Sequence, residues 1–154
     1  MIPPRILKTF RSLPNDLIEL CRPHTREQLT APSADGMRSI WDVLVHLAGV
    51  EAFWIGHVVL GHPRKKLLPE SFKDLNDILS FWNQQRERTI SLAGTLAVDE
   101  RTSRRAFPWD PNESASVEEI IWHVVTHEQY HRGQVFTRLA LLGRRDLPDY
   151  DMLR

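Results

Sequence analysis

Apolar side chains in this chain of 154 residues recur three and four residues apart in four separate blocks. That spacing is the period of an amphipathic α-helix, and it predicts helices over residues 4–21, 39–60, 71–96 and 116–142. No segment shows the two-residue alternation that is typical of a half-buried strand. Because four such helices bury their apolar faces most simply against one another, we expect an all-α four-helix bundle in a single domain, residues 1–154.

Proline-rich and polar segments separate the four blocks. Pro14 lies inside the first block and predicts a kink there or a later helix start. Residues 22–38 are expected to form a loop and residues 62–70 a linker. Residues 97–115 form a long link, and its Trp109 is the aromatic side chain that could cover a pocket.

Capping patterns mark two of the helix starts. Ser39 stands three residues before Asp42, and Ser116 stands three residues before Glu119, so each serine can accept a hydrogen bond from a free amide of the first turn. Gly143 predicts the end of the last helix.

The charged residues, the cysteine and the tryptophans give expectations about which side chains are buried and which are exposed to solvent. The charged run Gln84–Arg88 interrupts the apolar face of the third block and is expected to be solvated. Cys21 is expected to be a buried structural thiol. Four tryptophans fit packing in the core or at an interface better than a ligand box: Trp41, Trp54, Trp82 and Trp122.

Composition narrows the function classes. Twenty Lys and Arg residues balance twenty Asp and Glu residues, which argues against binding to nucleic acid or to an acidic membrane surface. A single cysteine cannot form an internal disulfide, and the uninterrupted apolar runs are far shorter than the roughly 18 residues of a membrane span. We therefore expect a cytoplasmic protein.

The last predicted helix carries His123, His127 and His131 at intervals of four residues. Successive rings therefore lie about 40° apart around the helix and about 6 Å apart along it, a spacing at which two imidazoles can bind one ion. The outer two lie about 12 Å apart along the axis, so the workable arrangement is one adjacent pair plus a ligand from elsewhere. His127 and His131 lie in line with the apolar Val124 and Val135, whereas His123 lies on the flank.

His46 is the candidate third ligand, on the second predicted helix. Val43, Val50 and Phe53 flank it at helical spacing, so we expect its ring to face inward. His57 follows 11 residues later, about 16 Å further along the axis, and cannot share an ion with His46.

Each histidine also has a structural interpretation, because a buried histidine usually hydrogen-bonds a carbonyl group. His123 and His57 are interpreted as structural residues or as partners of a ligand. His24 and His62 are expected to be exposed in polar loops and are the weakest metal candidates.

Two segments together resemble a known family. Residues 127–134 read HEQYHRGQ, which is an H-x-x-x-H-R-G-Q element. Residues 39–48 read SIWDVLVHLA, which is an S-I-x-[DE]-x-L-x-H-L-A element. In these elements, and over nearly its whole length, the chain resembles the DinB/YfiT-like family of metal-dependent proteins.

The resemblance implies a four-helix bundle with up-down-down-up order and a divalent metal ion held by His46, His127 and His131. The linker 62–70 permits that order, since nine extended residues span on the order of 30 Å. Imidazole ligands suit zinc, nickel or iron, so the metal stays open. The resemblance also implies a homodimer.

Three imidazoles leave at least one coordination position open, as in catalytic zinc sites. The activities known in the family are thiol transfer to electrophiles, thiol-dependent isomerisation and amide hydrolysis. They favour a metal-dependent transferase or hydrolase whose substrate is a small molecule, such as a low-molecular-weight thiol. The alternatives are a non-catalytic metal-binding or stress-related interaction protein, and a bundle whose histidines only fill its core.

Residues around the candidate ligands have expected roles as well. A ligand histidine should donate its second ring N–H, and Glu51, Glu128 and Asp42 are the carboxylates considered as acceptors. Gly133 suits close approach of another helix, and Arg132 suits an ion pair. The catalytic residues and the general base are not identified by the sequence.

Overall fold

The structure is a computed structural model that describes residues 3–32, 36 and 38–149. In chain order its elements are α1 (Pro4–Cys21), α2 (Arg26–Thr30), α3 (Ile40–Glu51) with a π-helical continuation (Ala52–Val59), a 3₁₀ turn (Pro69–Ser71), α4 (Leu75–Thr95), α5 (Val98–Thr102), β1 (Arg104–Phe107), β2 (Asp110–Ser116) and α6 (Val117–Leu141). The long helices α1, α3, α4 and α6 confirm the predicted four-helix bundle. The predicted loop's residues 33–35 and 37, and the tail from 150, lie outside the described residues.

The helices α1 and α4 run antiparallel, whereas α1 and α6 end on the same side of the bundle. Two side-chain pairs define the antiparallel contact: Arg11–Glu87 at 3.6 Å and Arg22–Asn76 at 2.9 Å. Just after α6, Arg144 donates to the carbonyl of Leu20 near the end of α1, at 2.8 Å.

The helices α3 and α6 run antiparallel. His46 lies beside His131, with ring centroids 4.8 Å apart. About two turns further along α3 and its continuation, Trp54 lies beside His123 at 5.2 Å. With α1 and α6 pointing one way and α3 and α4 the other, the chain has the expected up-down-down-up order.

The predicted helix boundaries are confirmed where capping groups define them. The hydroxyl of Ser39 accepts from the amide of Asp42 at 3.1 Å. Ser116 and Glu119 form the full reciprocal capping box. Gly143 follows α6 with φ +97°, a conformation that glycine adopts without strain.

The first helix begins at Pro4, so a later start is wrong. Proline suits the first turn, where its missing N–H would have no partner in any case. The helix includes Pro14, which is buried in the core beside Leu13 and Leu17.

The long link contains a β-hairpin that the sequence analysis did not predict. The strands β1 and β2 pair antiparallel, with Arg104 opposite Ser116 and Ala106 opposite Ser114. Alternation could not show them, because β1 has four residues and β2 opens with the polar run Asp110–Glu113. The predicted loop 22–38 also contains a helix, α2, whose capping box joins Thr25 and Gln28.

The expectation that the run Gln84–Arg88 is solvated is wrong for two of its members. Gln85 and Arg86 are buried, and Arg86 is only 1% exposed. By contrast, Cys21 is buried as expected, and burial raises the pKa of its thiol to about 12. Trp41 and Trp82 lie in the core, while Trp54 and Trp122 are partly buried against it.

One stretch has the length and hydropathy of a membrane span. It comprises Ile40–Val59, 20 residues with a mean hydropathy of 1.4 in its most apolar window. Half of that window is buried inside the bundle, and the stretch contains Glu51, whose carboxylate binds Arg86. In this structure it is therefore a core helix.

Candidate metal centre

The antiparallel contact of α3 and α6 brings three histidines together. His46 lies on α3, and His127 and His131 lie one turn apart on α6. Each of the three rings offers one nitrogen as a metal ligand, and these three nitrogens all lie within 4.8 Å of one another. The Nε2 atoms of His46 and His127 are 3.3 Å apart. The three residues singled out in the sequence are thus neighbours in space.

Burial keeps these three rings neutral at pH 7. It lowers the pKa of His46 to about 3 and that of His127 to about 4, and it also lowers the pKa of His131. The positive charge of Arg38 adds to the lowering at all three rings. Neutral imidazoles keep a free nitrogen lone pair, which is the form that binds a metal ion.

The donor set fits a divalent metal ion. Three imidazoles from two helices match catalytic zinc sites, which keep a coordination position open. The second nitrogen of His131 is already held, because Nδ1 lies 2.7 Å from Oε1 of Gln134, so Nε2 is left for the cluster. The buried Nδ1 of His127 has no hydrogen-bond partner among the described residues.

Gln134 contacts a ring of the cluster, although the sequence analysis gave this residue no role. A ligand histidine is oriented by the acceptor of its second N–H, and here that acceptor is an amide on the same helix rather than a carboxylate. Its position three residues after His131 places both side chains on one helix face, which is a signal that the sequence already contained.

The carboxylates considered as acceptors have other partners. Arg86, on α4, binds Glu51 with its Nε at 3.0 Å and Glu128 with its Nη2 at 2.5 Å. Glu51 also accepts from Trp82 Nε1 at 3.0 Å and from Thr89 Oγ1 at 2.5 Å. Asp42 makes no hydrogen bond to the three rings within the described part of the chain. This buried network joins α3, α4 and α6 beside the histidines.

One carboxyl group of this network, that of Glu128, has a raised pKa. Burial and the neighbouring Glu51 charge raise the pKa of Glu128 to about 8, although Arg86 opposes the change. Arg86 also donates to the backbone carbonyl of Phe10 on α1, and its guanidinium lies 3.5 Å from the centre of the Phe10 ring. A single guanidinium therefore fixes three bundle helices and contacts the fourth.

The remaining histidines stay outside the cluster. His57 Nδ1 bonds the carbonyl of His62 at 2.8 Å, which is a structural role. His123 lies on the flank, as expected, with its ring 5.6 Å from that of His127. His24 is partly buried rather than exposed.

Gly133 does not mediate a close helix contact. The glycine is exposed on α6, and a Cβ at this position would meet nothing within 4 Å among the described residues. Arg132 lies 5.9 Å from the ring of Phe136.

One cavity borders the histidine cluster, and a second lies beside His123. The first, about 560 Å³, has His46 in its wall, and we call it the His46 groove. The second, about 420 Å³, is lined by His123 and by the aromatic residues Trp54, Phe107 and Trp109. Trp109 is 60% exposed, so it borders a cavity beside His123 and does not seal the histidine cluster.

Comparisons with known proteins agree on family and fold. The model of the DinB superfamily matches residues 9–135. The uncharacterised protein YizA of Bacillus subtilis is 26% identical over 115 residues, which are 75% of this chain and 72% of YizA.

Solved structures are similar over almost the whole chain. The DinB-like protein YjoA of Bacillus subtilis has a TM-score of 0.73 at 16% identity, covering 94% of this chain and 96% of that one. YfiT of Bacillus subtilis, described as a probable metal-dependent hydrolase with an unusual four-helix bundle topology, has the same score and identity, covering 94% and 92%. A DinB-like protein of Bacillus cereus has a TM-score of 0.71 at 13% identity, covering 94% and 95%. At these identities the likeness shows the fold.

Proposed function

This chain belongs to the DinB superfamily, and we propose that His46, His127 and His131 bind one divalent metal ion and that the loaded protein is an enzyme. The convergence of three neutral imidazoles within 4.8 Å carries this proposal. Zinc, nickel and iron all accept such a donor set. A small-molecule substrate reaches the site through the His46 groove.

A metal ion held by three imidazoles supplies Lewis acidity at an open coordination position, which suits hydrolysis or the activation of a thiol. The description of YfiT as a probable metal-dependent hydrolase supports the hydrolytic reaction. The two sequence elements shared with the DinB/YfiT-like family support transfer of a low-molecular-weight thiol. Both reactions use the same site.

The chain's own residues prepare this site before any ion binds. Gln134 fixes the ring of His131, and the Glu51–Arg86–Glu128 network holds α6 against α3 and α4. Burial keeps the three rings unprotonated at neutral pH, so an ion does not compete with protons for their lone pairs.

Elemental analysis of protein purified without chelator or nickel resin tests the metal site. We expect about one equivalent of zinc, nickel or iron in the wild type, and its loss in His46→Ala and in His131→Ala. His57→Ala is the matched control, since it removes a histidine just beyond α3 that lies outside the cluster, and it should keep the metal. Wild-type protein that binds none of these ions, even after each is added back, would remove the enzyme proposal.

We also propose that the protein is a cytoplasmic homodimer. The family resemblance supports the dimer, and the single buried cysteine suits a reducing compartment. Light scattering coupled to size-exclusion chromatography would measure about 36 kDa for a dimer, twice the 17.9 kDa of one chain.

A further inference from the structure

The wall of the His46 groove is strongly positive. Its polar lining consists of His46, one carboxylate and four cationic side chains, namely Asp42, Arg38, Arg64, Lys65 and Lys66. The groove therefore carries three more positive than negative charges, although the whole chain is neutral. A concave surface lined by one sign of charge concentrates the field and attracts small ions of the opposite sign.

Three of the four groove cations have no ion-pair partner among the described residues. Within the described part of the chain, no carboxylate lies in ion-pair distance of Arg38, Lys65 or Lys66. By comparison, the surface residues Arg11 and Arg144 are paired with Glu87 and Asp146.

The segment that carries three of the cations is attached to the bundle wall. Its start is held by the bond between His57 and the carbonyl of His62. Arg64 lies over the ring of Phe53 at 5.2 Å, and Leu67 packs close to Gly49 of α3. These contacts place the charges along the groove rather than on a free loop.

Arg38, two residues before the start of α3, also lines the groove. Its charge reaches all three histidine rings, since it contributes to their electrostatic environment. Apolar side chains of Val45, Val50 and Phe53 complete the groove wall. The groove wall thus combines cationic and apolar side chains with His46 of the histidine cluster.

We propose that the His46 groove selects an anionic substrate, a small organic molecule whose carboxylate or phosphate group binds Arg38, Lys65 and Lys66 while its reactive group faces the histidine cluster. This inference rests on the proposed function for the reactive group, but the binding of the anion depends only on the groove.

The test compares small thiols of different charge on cobalt-loaded protein. Binding of a thiol to the ion is followed by its sulfur-to-cobalt charge-transfer absorption, with 3-mercaptopropionate as the anionic probe and 2-mercaptoethanol as the neutral one. We expect Lys65→Gln/Lys66→Gln, and separately Arg38→Gln, to weaken binding of the anionic probe on the order of tenfold. The affinity for the neutral probe should change less than about twofold. The ratio of the two thiol affinities is compared between variants, so that the different acidities of the two thiols cancel.

The chain provides a matched control. Its other two lysines are Lys8 and Lys73, so Lys8→Gln/Lys73→Gln removes the same charge away from the groove. This control should keep the wild-type preference. Equal loss of preference in both double variants would reduce the effect to net charge and overturn the inference.

A metal-free measurement separates this inference from the proposed function. Inorganic phosphate is titrated into metal-free, ¹⁵N-labelled protein, and amide shifts are expected at Gly49 and residues 64–67, with loss of these shifts in Lys65→Gln/Lys66→Gln. If those shifts appear but cobalt does not bind, the metal proposal fails and the anion groove stands. The anion groove is wrong if phosphate shifts no groove amide. It is also wrong if the groove variants bind each of the two thiols as tightly as the wild type does.

Discussion

The side-chain amide of Gln134 holds the ring of His131. Because it binds Nδ1 of His131 at 2.7 Å, Gln134→Leu frees that ring to rotate and removes a group that supports its Nε2 as a ligand. We expect zinc affinity to fall by about 10–100-fold, measured by competition with a chromophoric chelator. Gln134→Glu keeps an acceptor oxygen and should retain most of the affinity. Equal affinities for wild type and Gln134→Leu would show that the contact does not orient the ligand.

Substitution by alanine should change the stability in opposite directions at two glycines, Gly133 within α6 and Gly143 just after it. Gly143 has φ +97°, where a Cβ is strained, so Gly143→Ala should lower the free energy of unfolding by about 1 kcal/mol. Gly133 is exposed in the middle of α6 with open space around it, so Gly133→Ala should raise that free energy by up to about 1 kcal/mol.

Urea denaturation of the two alanine variants measures both changes. Destabilisation by Gly133→Ala would mean that close packing against another surface requires this glycine after all.

Among the elements, α4 contributes the residue that joins the bundle. Arg86→Met leaves the buried carboxylate of Glu51 without its counter-charge, and breaking a buried pair in this way costs about 3–5 kcal/mol. Arg11→Met is the matched control, because it breaks the exposed pair with Glu87 and should cost less than about 1 kcal/mol. Chemical denaturation checks the difference, and similar midpoints for both variants would contradict it.

The sequence predicted the helices because each repeats its apolar face over several turns. The three histidines were also predictable, since an interval of four residues places His127 and His131 on one helix face and a shared family element contains His46. The burial of Arg86 was not predictable. The sequence does not distinguish a charged residue that faces water from one that pairs with a buried carboxylate on another helix. The hairpin was missed for a different reason, since β1 has only four residues and β2 opens with the polar run Asp110–Glu113, so neither shows apolar alternation.

At the scale of the molecule, the site couples two helices that are distant in the chain. His46 and His127 are 81 residues apart, and an ion bound between them would join α3 to α6 only in the folded state. Binding to the folded state alone adds to stability by mass action, about 2.7 kcal/mol when free zinc is 100 times its dissociation constant. For a chain of this length, that free energy corresponds to a rise in Tm of about 5–10 °C.

Thermal unfolding with and without zinc measures this coupling. The wild type and His57→Ala should both gain thermal stability on adding zinc and lose the gain with chelator, whereas His46→Ala should gain little, because two ligands one turn apart on α6 do not join it to α3. A gain in His46→Ala as large as that of the wild type would place the stabilising zinc elsewhere on the chain. A gain confined to proteins with all three histidines would mean that the ion holds the two antiparallel helices together beside the His46 groove.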